Sequence, residues 1–262
     1  MQVQTLLTAP NWAVVDFISD VHLTAQAPIL FERWARYMAQ TSAQAVFILG
    51  DLFDAWVGDD AASLPFEAQC CEVLRQTART KPVFFLAGNR DFLLSAQFLA
   101  TLGVHSLSEP THVQAGQHSV LLAHGDGLCL SDGAYQQFRQ MVRAPEWQRA
   151  FLNKPLVERL GIAQAMRQAS QEHQQQRPIE SFGDIDATLA QQWLTQVGCR
   201  ILVHGHTHQP QSEQWSAQAM RHVISDWPLG QPTESTQPEV LRWLISAHTW
   251  QRLSADHADG AD

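Results

Sequence analysis

Five times in this chain a short apolar run gives way at once to metal-competent side chains, four times through a glycine or another small residue. The runs are Ala13–Ser19 before Asp20 and His22, Val46–Leu49 before Gly50 and Asp51, and Pro82–Ala87 before Gly88 and Asn89. Gln117–Ala123 precedes His124, and Arg200–Val203 precedes His204, Gly205, His206 and His208. Runs of this length and composition read as buried strands, with their ligand-competent residues at the carboxyl ends, where layered α/β sheets place their sites. Between the first two runs Pro28–Gln40 carries its apolar residues at helical spacing, which completes a β-α-β unit. Pro65–Ala78 reads as a second helix opened by proline, and Phe92–Leu102 as a third. Arg221–Ser225 and Val240–Ser246 read as further strands, with a Pro-, Thr- and Gln-rich loop between them. The expected fold class is therefore α/β, in layers.

Taken singly, each strand end has an ordinary reading: a polar turn, an Asn tolerating left-handed backbone, a surface histidine. Together they gather Asp20, His22, Asp51, Asn89, His124, His206 and His208, seven oxygen and nitrogen donors without a thiolate. That is too many for one structural zinc and suits two divalent metals, with Mn favoured and Fe or Zn possible. Such a pair can generate hydroxide and clamp the oxygens of an in-line displacement at phosphorus. The spacing suggests that Asp20 and His22, and likewise His206 and His208, share one side of an extended segment. Asp54, Asp59 and Asp60 crowd the loop after Asp51, a clustering that requires a cation or hydrogen-bond donors to offset it.

The motifs D-x-H, GDLFD, GNRD, HGD and GHTH resemble those of the calcineurin-like metallophosphoesterase superfamily and span Asp20 to His208. The resemblance implies a β-sandwich flanked by helices. It also implies one metal on Asp20, His22, Asp51 and His208 and another on Asp51, Asn89, His124 and His206, with Asp51 bridging. Many members carry a His after the Asn; here Arg90 stands instead. GNRDF, GDLFDAWVGDD, HGDGLCLSD and FRQMVRAPEWQ look like the UDP-2,3-diacylglucosamine diphosphatase family of bacterial lipid A synthesis. That family cleaves the pyrophosphate of an acylated UDP-sugar to UMP and 2,3-diacylglucosamine 1-phosphate. By this resemblance Asp51, Arg90 and His206 take part in catalysis, with Arg90 neutralising developing charge. Asn89, Arg90, His206, Asp132 and Ser170 meet the substrate, while Gln174 and Arg177 stand where the family has Asn and Lys. It also implies a peripheral place on the cytoplasmic face of the inner membrane, with no obligate protein partner.

The 262 residues then divide into a core of 1–130 and 181–253, a helical lid over 131–180 and a small acidic tail, 254–262, expected to be disordered. The lid stretch Tyr135–Gln176, with Arg177 just beyond it, carries seven cations (Arg139, Arg143, Arg149, Lys154, Arg159, Arg167, Arg177) against three acids, inside a chain of net charge −9. Periodicity alone makes this a helix pair packing on the core; with an anionic, acylated substrate it also suits an acyl groove with a basic rim. The overall negative charge argues against a nucleic-acid partner. Neither a signal peptide nor an apolar run of about 20 residues is evident, so any membrane contact would be peripheral. Four cysteines lack CxxC spacing and are expected to be reduced, as in a cytosolic protein. A different dinuclear phosphoesterase is the main alternative, and a scaffold that kept the fold without metals a weaker one.

Overall fold

A computed structural model describes residues 2–175, 184–216, 219–228 and 237–257, with the side chains of 169–175 excepted. The described strands are β1 (Gln4–Leu7), β2 (Val14–Ile18), β3 (Ala45–Ile48), β4 (Val83–Leu86), β5 (His105–Leu107), β6 (Thr111–Ala115) and β7 (His118–Leu122), followed by β8 (Ile201–His204), β9 (Gln211–Ser216), β10 (Ala219–Val223), β11 (Glu239–Leu244) and β12 (Thr249–Ser254). They form two six-stranded sheets, ordered β12-β11-β2-β3-β4-β5 and β1-β6-β7-β8-β10-β9. The five strands expected to carry ligands are interior ones, and β2, β3 and β4 run parallel, as do β7 and β8.

Period-two alternation explains the layers. Phe17, Phe47 and Phe84 point to the face between the sheets, stacked at 5.1 and 4.6 Å, and meet Val113, Val120, Leu122 and Val203 from the other sheet. Ile18, Val46, Ile48 and Phe85 point outward to α1 (Pro28–Gln40) and α2 (Pro65–Ala78), which bury Trp34, Tyr37, Cys70 and Leu74. On the far side, Leu121 and Leu202 pack on α7 (Ala187–Val197). This is a sandwich flanked by helices. Asp16, within β2, is not at an edge: Arg242 reaches it at 2.7 and 3.0 Å and Thr41 donates at 2.6 Å. All four cysteines are free and buried.

Two expectations need correction, and five strands were not anticipated. The helix expected over Phe92–Leu102 is only α3 (Ala96–Thr101), because Ser95 stops it from starting earlier: its Oγ accepts from Phe98 N, and its own N–H and hydroxyl donate to Asp59. The tail begins later than Ser254, since Ala255 is buried and Asp256 lies 3.9 and 3.8 Å from Arg33 and Arg36; residues 258–262 lie outside those described. Finally, β1, β5, β6, β9 and β12 are absent from the sequence reading, and their exposed or alternating burial shows why. Helices α4 (Gly133–Arg143), α5 (Pro145–Leu152) and α6 (Leu156–Gln175) occupy the stretch read as an insertion. No described helix is long and apolar enough to cross a membrane.

Candidate metal centre

The seven side chains leave their strands at the carboxyl ends, but not along extended backbone. Asp20, His22, Asp51, His206 and His208 all have positive φ, between 52° and 67°. Only one other described non-glycine residue, His248, does. Left-handed backbone costs a side-chain-bearing residue of order 1 kcal/mol or more, and it turns each chain sharply back over the sheet edge. The expected side-by-side placement on extended segments is thus replaced by turns that converge on one cleft.

Two glycines let the turns close. A Cβ on Gly88 would lie 2.1 Å from Asp51 Oδ1, and one on Gly205 2.2 Å from Asp20 Oδ2. Main-chain bonds knit the loops across both sheets: Asp20 N donates to Gly50 O (3.1 Å), His22 N to Asp51 O (3.0 Å) and Gly205 N to His124 O (2.9 Å). Asp91, quoted in the GNRD run but given no task there, is the buried anchor. Its Oδ1 accepts from Gly88 N at 2.8 Å and Asp51 N at 3.3 Å, and its Oδ2 from Leu52 N at 2.7 Å.

Donor atoms of Asp20, His22 and His208 lie within 4.8 Å of one another, as do those of Asp20, Asp51 and His124. Asn89 Oδ1 lies 3.0 Å from His124 Nε2 and 2.9 Å from His206 Nδ1. All seven predicted donors therefore meet in one cleft. Asp20 Oδ1 is buried 3.3 Å from His208 Nε2 yet has no well-directed hydrogen-bond donor, and His22 Nε2 faces His208 Nε2 at 3.4 Å. Lone pairs converging on one point without donors to satisfy them are what divalent cations fill, so the donor set fits a pair of them.

Burial raises the Asp51 carboxyl, and the charges of Asp91 and Asp20 raise it further against the pull of His124. Burial alone would lower His124, but the carboxylates of Asp51, Asp20, Asp126 and Glu109 outweigh it and push the imidazole up to about 9. Burial lowers His22 to about 3 and His206 to about 4, which keeps both neutral and able to ligate. Burial would also raise Asp20, but His208 and the other histidines hold it well below the carboxylate range.

Arg90 is half-buried; its N–H donates to Asp51 Oδ1 at 2.8 Å, while its Nε is buried with no hydrogen-bond partner among the described residues. His204 is not with the ligands. Arg221 Nε donates to its Nε2 at 2.9 Å, which leaves Nδ1–H for the carbonyl of Gly205 at 2.8 Å. Asp132 caps α4, its Oδ1 accepting from Tyr135 N at 3.0 Å. The side chains of Ser170 and Gln174, and all of Arg177, lie outside the described residues.

The cations of α4–α6 are committed rather than forming an open basic rim. Arg139 binds Asp126 and Glu109, Arg143 donates to Gly88 O at 2.9 Å, Arg159 grips Asp60 and Val57 O, and Arg167 pairs with Asp54. Arg149 pairs with Glu146 on α5, and Lys154, in the link between α5 and α6, pairs with Glu158 on α6. The acidic crowd after Asp51 is thereby offset by arginines and, at Asp59, by Trp56 and Ser95. Sequence reasoning gave no task to Asp126, although it closes the HGD run, and missed Glu109 and Tyr135, which have no local pattern to betray them.

The profile of the calcineurin-like phosphoesterases matches residues 13–210, which holds every one of the seven donors. A UDP-2,3-diacylglucosamine hydrolase of Chromobacterium violaceum is 42% identical over 215 residues, covering 81% of this chain and 90% of the relative. Its counterpart in Bordetella pertussis is 38% identical over 246 residues, covering 91% and 92%. One in Aromatoleum aromaticum is 38% identical over 217 residues, covering 80% and 88%. With its donors on the strand ends of a helix-flanked sandwich, the chain belongs to the calcineurin-like phosphoesterase family and, within it, to the UDP-2,3-diacylglucosamine hydrolases.

Proposed function

We propose that the chain hydrolyses the pyrophosphate of UDP-2,3-diacylglucosamine to UMP and 2,3-diacylglucosamine 1-phosphate, in lipid A biosynthesis. The observation that carries this reading is the convergence of seven O/N donors in one cleft, in a chain so similar to hydrolases of that name. Asp20, His22, Asp51 and His208 would hold one divalent ion and Asp51, Asn89, His124 and His206 the other, with Mn2+ the expected metal for this thiolate-free set. Bound there, the pair would supply Lewis acidity and lower the pKa of water.

The chain's own residues do the rest. Arg90 brings a forked cation with an unpaired, buried Nε to the edge of the donor cluster, suited to phosphate oxygens and to charge that grows in the transition state. Asn89 and His206, held together at 2.9 Å, border the same space. The insertion supplies the apolar half: Phe138, Met141, Leu152, Leu160 and Met166 expose 37–49% of their surface and Val157 81%. Exposed apolar side chains of this kind suit acyl chains and a lipid surface, and they support a peripheral place on the cytoplasmic face of the inner membrane. Since the described lid cations are paired, that attachment is expected to be apolar more than ionic.

The test is Mn2+-dependent UMP release from the diacylated UDP-sugar, beside UDP-N-acetylglucosamine and an aryl phosphodiester. Turnover of the acylated substrate alone supports the reading; turnover of the aryl ester alone keeps the metal centre and makes the chain a different dinuclear phosphoesterase. Arg90→Ala should retain both ions and lose roughly 10²–10³ in kcat. Full activity in that variant would remove Arg90 from the chemistry.

A further inference from the structure

Glu109, before β6, turns its Oε1 to the backbone of the loop after β7, where it accepts from His124 N at 2.8 Å and Gly125 N at 3.1 Å. Its other oxygen accepts from Arg139 Nη2 at 3.0 Å. The same guanidinium donates through Nε to Asp126 Oδ2 at 2.7 Å, an oxygen that also accepts from Tyr135 at 2.8 Å. Asp126 is fully buried and Glu109 nearly so. Two carboxylates thus flank the His124 turn out of water, and one cation, reaching in from α4, spans both. It lies against the turn itself, since a Cβ on Gly127 would sit 3.1 Å from Arg139 Nη2.

We propose that Arg139 is a positioning residue for the His124 half of the metal centre, so that the helical insertion completes that half instead of only covering it. The inference rests on the dinuclear reading above. Physically, a guanidinium is suited to the task because its fork reaches two acceptors in fixed geometry, which an ammonium cannot do. Without it, Asp126 keeps Arg143 at 3.5 Å and the Tyr135 hydroxyl, but Glu109 loses the guanidinium that holds its outer oxygen and stands as a close, buried charge beside Asp126. Glu109 then has reason to swing toward water, releasing the two amides that fix the turn. Asp20, His22 and His208, in the other half, exchange no hydrogen bond or ion pair with Glu109, Asp126 or Arg139 among the described residues, and Asp51 is the donor that both halves share. The expected consequence is therefore asymmetric.

The full chain serves for the test, with Arg139→Met, Arg139→Lys and, as a control on the same insertion, the exposed Arg149→Met. In metal-stripped protein, amide exchange at His124 and Gly125 should quicken in Arg139→Met while the β3 and β8 amides keep their protection. On Mn2+ titration followed by electron paramagnetic resonance, one of two ions should bind about 10–100-fold more weakly, with the spin-coupled pair signal giving way to that of an isolated ion. Arg139→Lys should recover part of the affinity, and Arg149→Met should match wild type. Unchanged amides with two tightly bound ions would overturn the inference, and so would equal weakening of both ions, which marks general loosening. If Arg139→Met does not fold, Arg139→Lys decides by the same criteria. A wild-type chain that takes up a single ion would sink the dinuclear reading, and amide exchange would still judge Arg139.

Discussion

The ligand loops and the helical insertion face the same cleft, yet they are held by different kinds of structure. Around the donors the main chain does the positioning: five left-handed residues, two glycines with no room for a Cβ, and amides converging on Asp91. The insertion, by contrast, is tied to those loops through side chains, chiefly Arg139, Arg143, Arg159 and Arg167. A backbone-built site has little freedom to relax, so small changes of volume should be costly there. An arrangement of side-chain ties can yield one contact at a time, which suits a part that must admit a long acylated substrate. The comparison teaches that rigidity belongs to the chemistry and adjustability to the recognition.

The sharpest way to break this contrast is to leave every ligand intact and add one methyl group. Gly205→Ala places a Cβ 2.1 Å from Ser19 Oγ and 2.2 Å from Asp20 Oδ2. Asp20 cannot move without losing the N–H of His206 at 2.9 Å. Activity should fall by about 10²-fold or more, since misplacement by about 1 Å costs that much. Steady-state kinetics with metal analysis checks this, and near-normal turnover would mean that the loops adapt after all.

A second test uses pH, which acts on the ligand loops through His124 and Asp51. With no ion bound, His124, raised against its burial to about 9 chiefly by the Asp51 carboxylate, holds its proton at neutral pH, and Asp51, raised by burial to about 7, is partly protonated there. An ion needs the imidazole lone pair, so uptake must expel the His124 proton. The sign is fixed by that release: apparent affinity should rise with pH, about tenfold per unit for each proton expelled, until the raised His124 value of about 9 is passed. Calorimetry in buffers of different ionisation enthalpy measures the release directly. Uptake independent of pH from 7 to 9 would show that His124 is not a ligand.

The same contrast marks how far the sequence could be read. The strands β2, β3, β4 and β8 are buried along nearly their whole length, so their apolar runs are unbroken and visible. Helices α1 and α2 begin at prolines and span the residues expected of them. The seven candidate donors were legible because each lies within a few residues of the end of such a run or of β7. What spacing could not convey was the backbone sign: Asp20 and His22 look like alternate residues of an extended segment, but both turn left-handed. Edge strands such as β9 were invisible because one face meets water and the apolar content is diluted. The arginines were visible as charge but not as ties, since Arg159 and Asp60 stand 99 residues apart and Arg167 and Asp54 stand 113 apart. Charge counting suggested a basic rim; only tertiary structure reveals that the six described cations of the insertion are already paired.

The smallest expected effect concerns the last of those ties. Arg167 and Asp54 are 30% and 14% exposed, so solvent screens the pair in part and its coupling should be modest, about 0.5–1 kcal/mol. A double-mutant cycle of Arg167→Ala and Asp54→Ala, followed by denaturant unfolding, isolates that coupling from the loss of packing around each side chain. In kinetics, Arg167→Ala should change KM for the acylated substrate severalfold while leaving any cleavage of a short aryl ester untouched, since the pair borders the insertion and not the donor cluster. A coupling of several kcal/mol, or a fall in kcat with both substrates, would mean that α6 is fixed to the metal loop as firmly as the loops are fixed to one another. The distinction between a rigid chemical centre and an adjustable insertion would then have to be given up at this edge, leaving Arg139 and its buried carboxylates as one instance of a lid that is structural throughout.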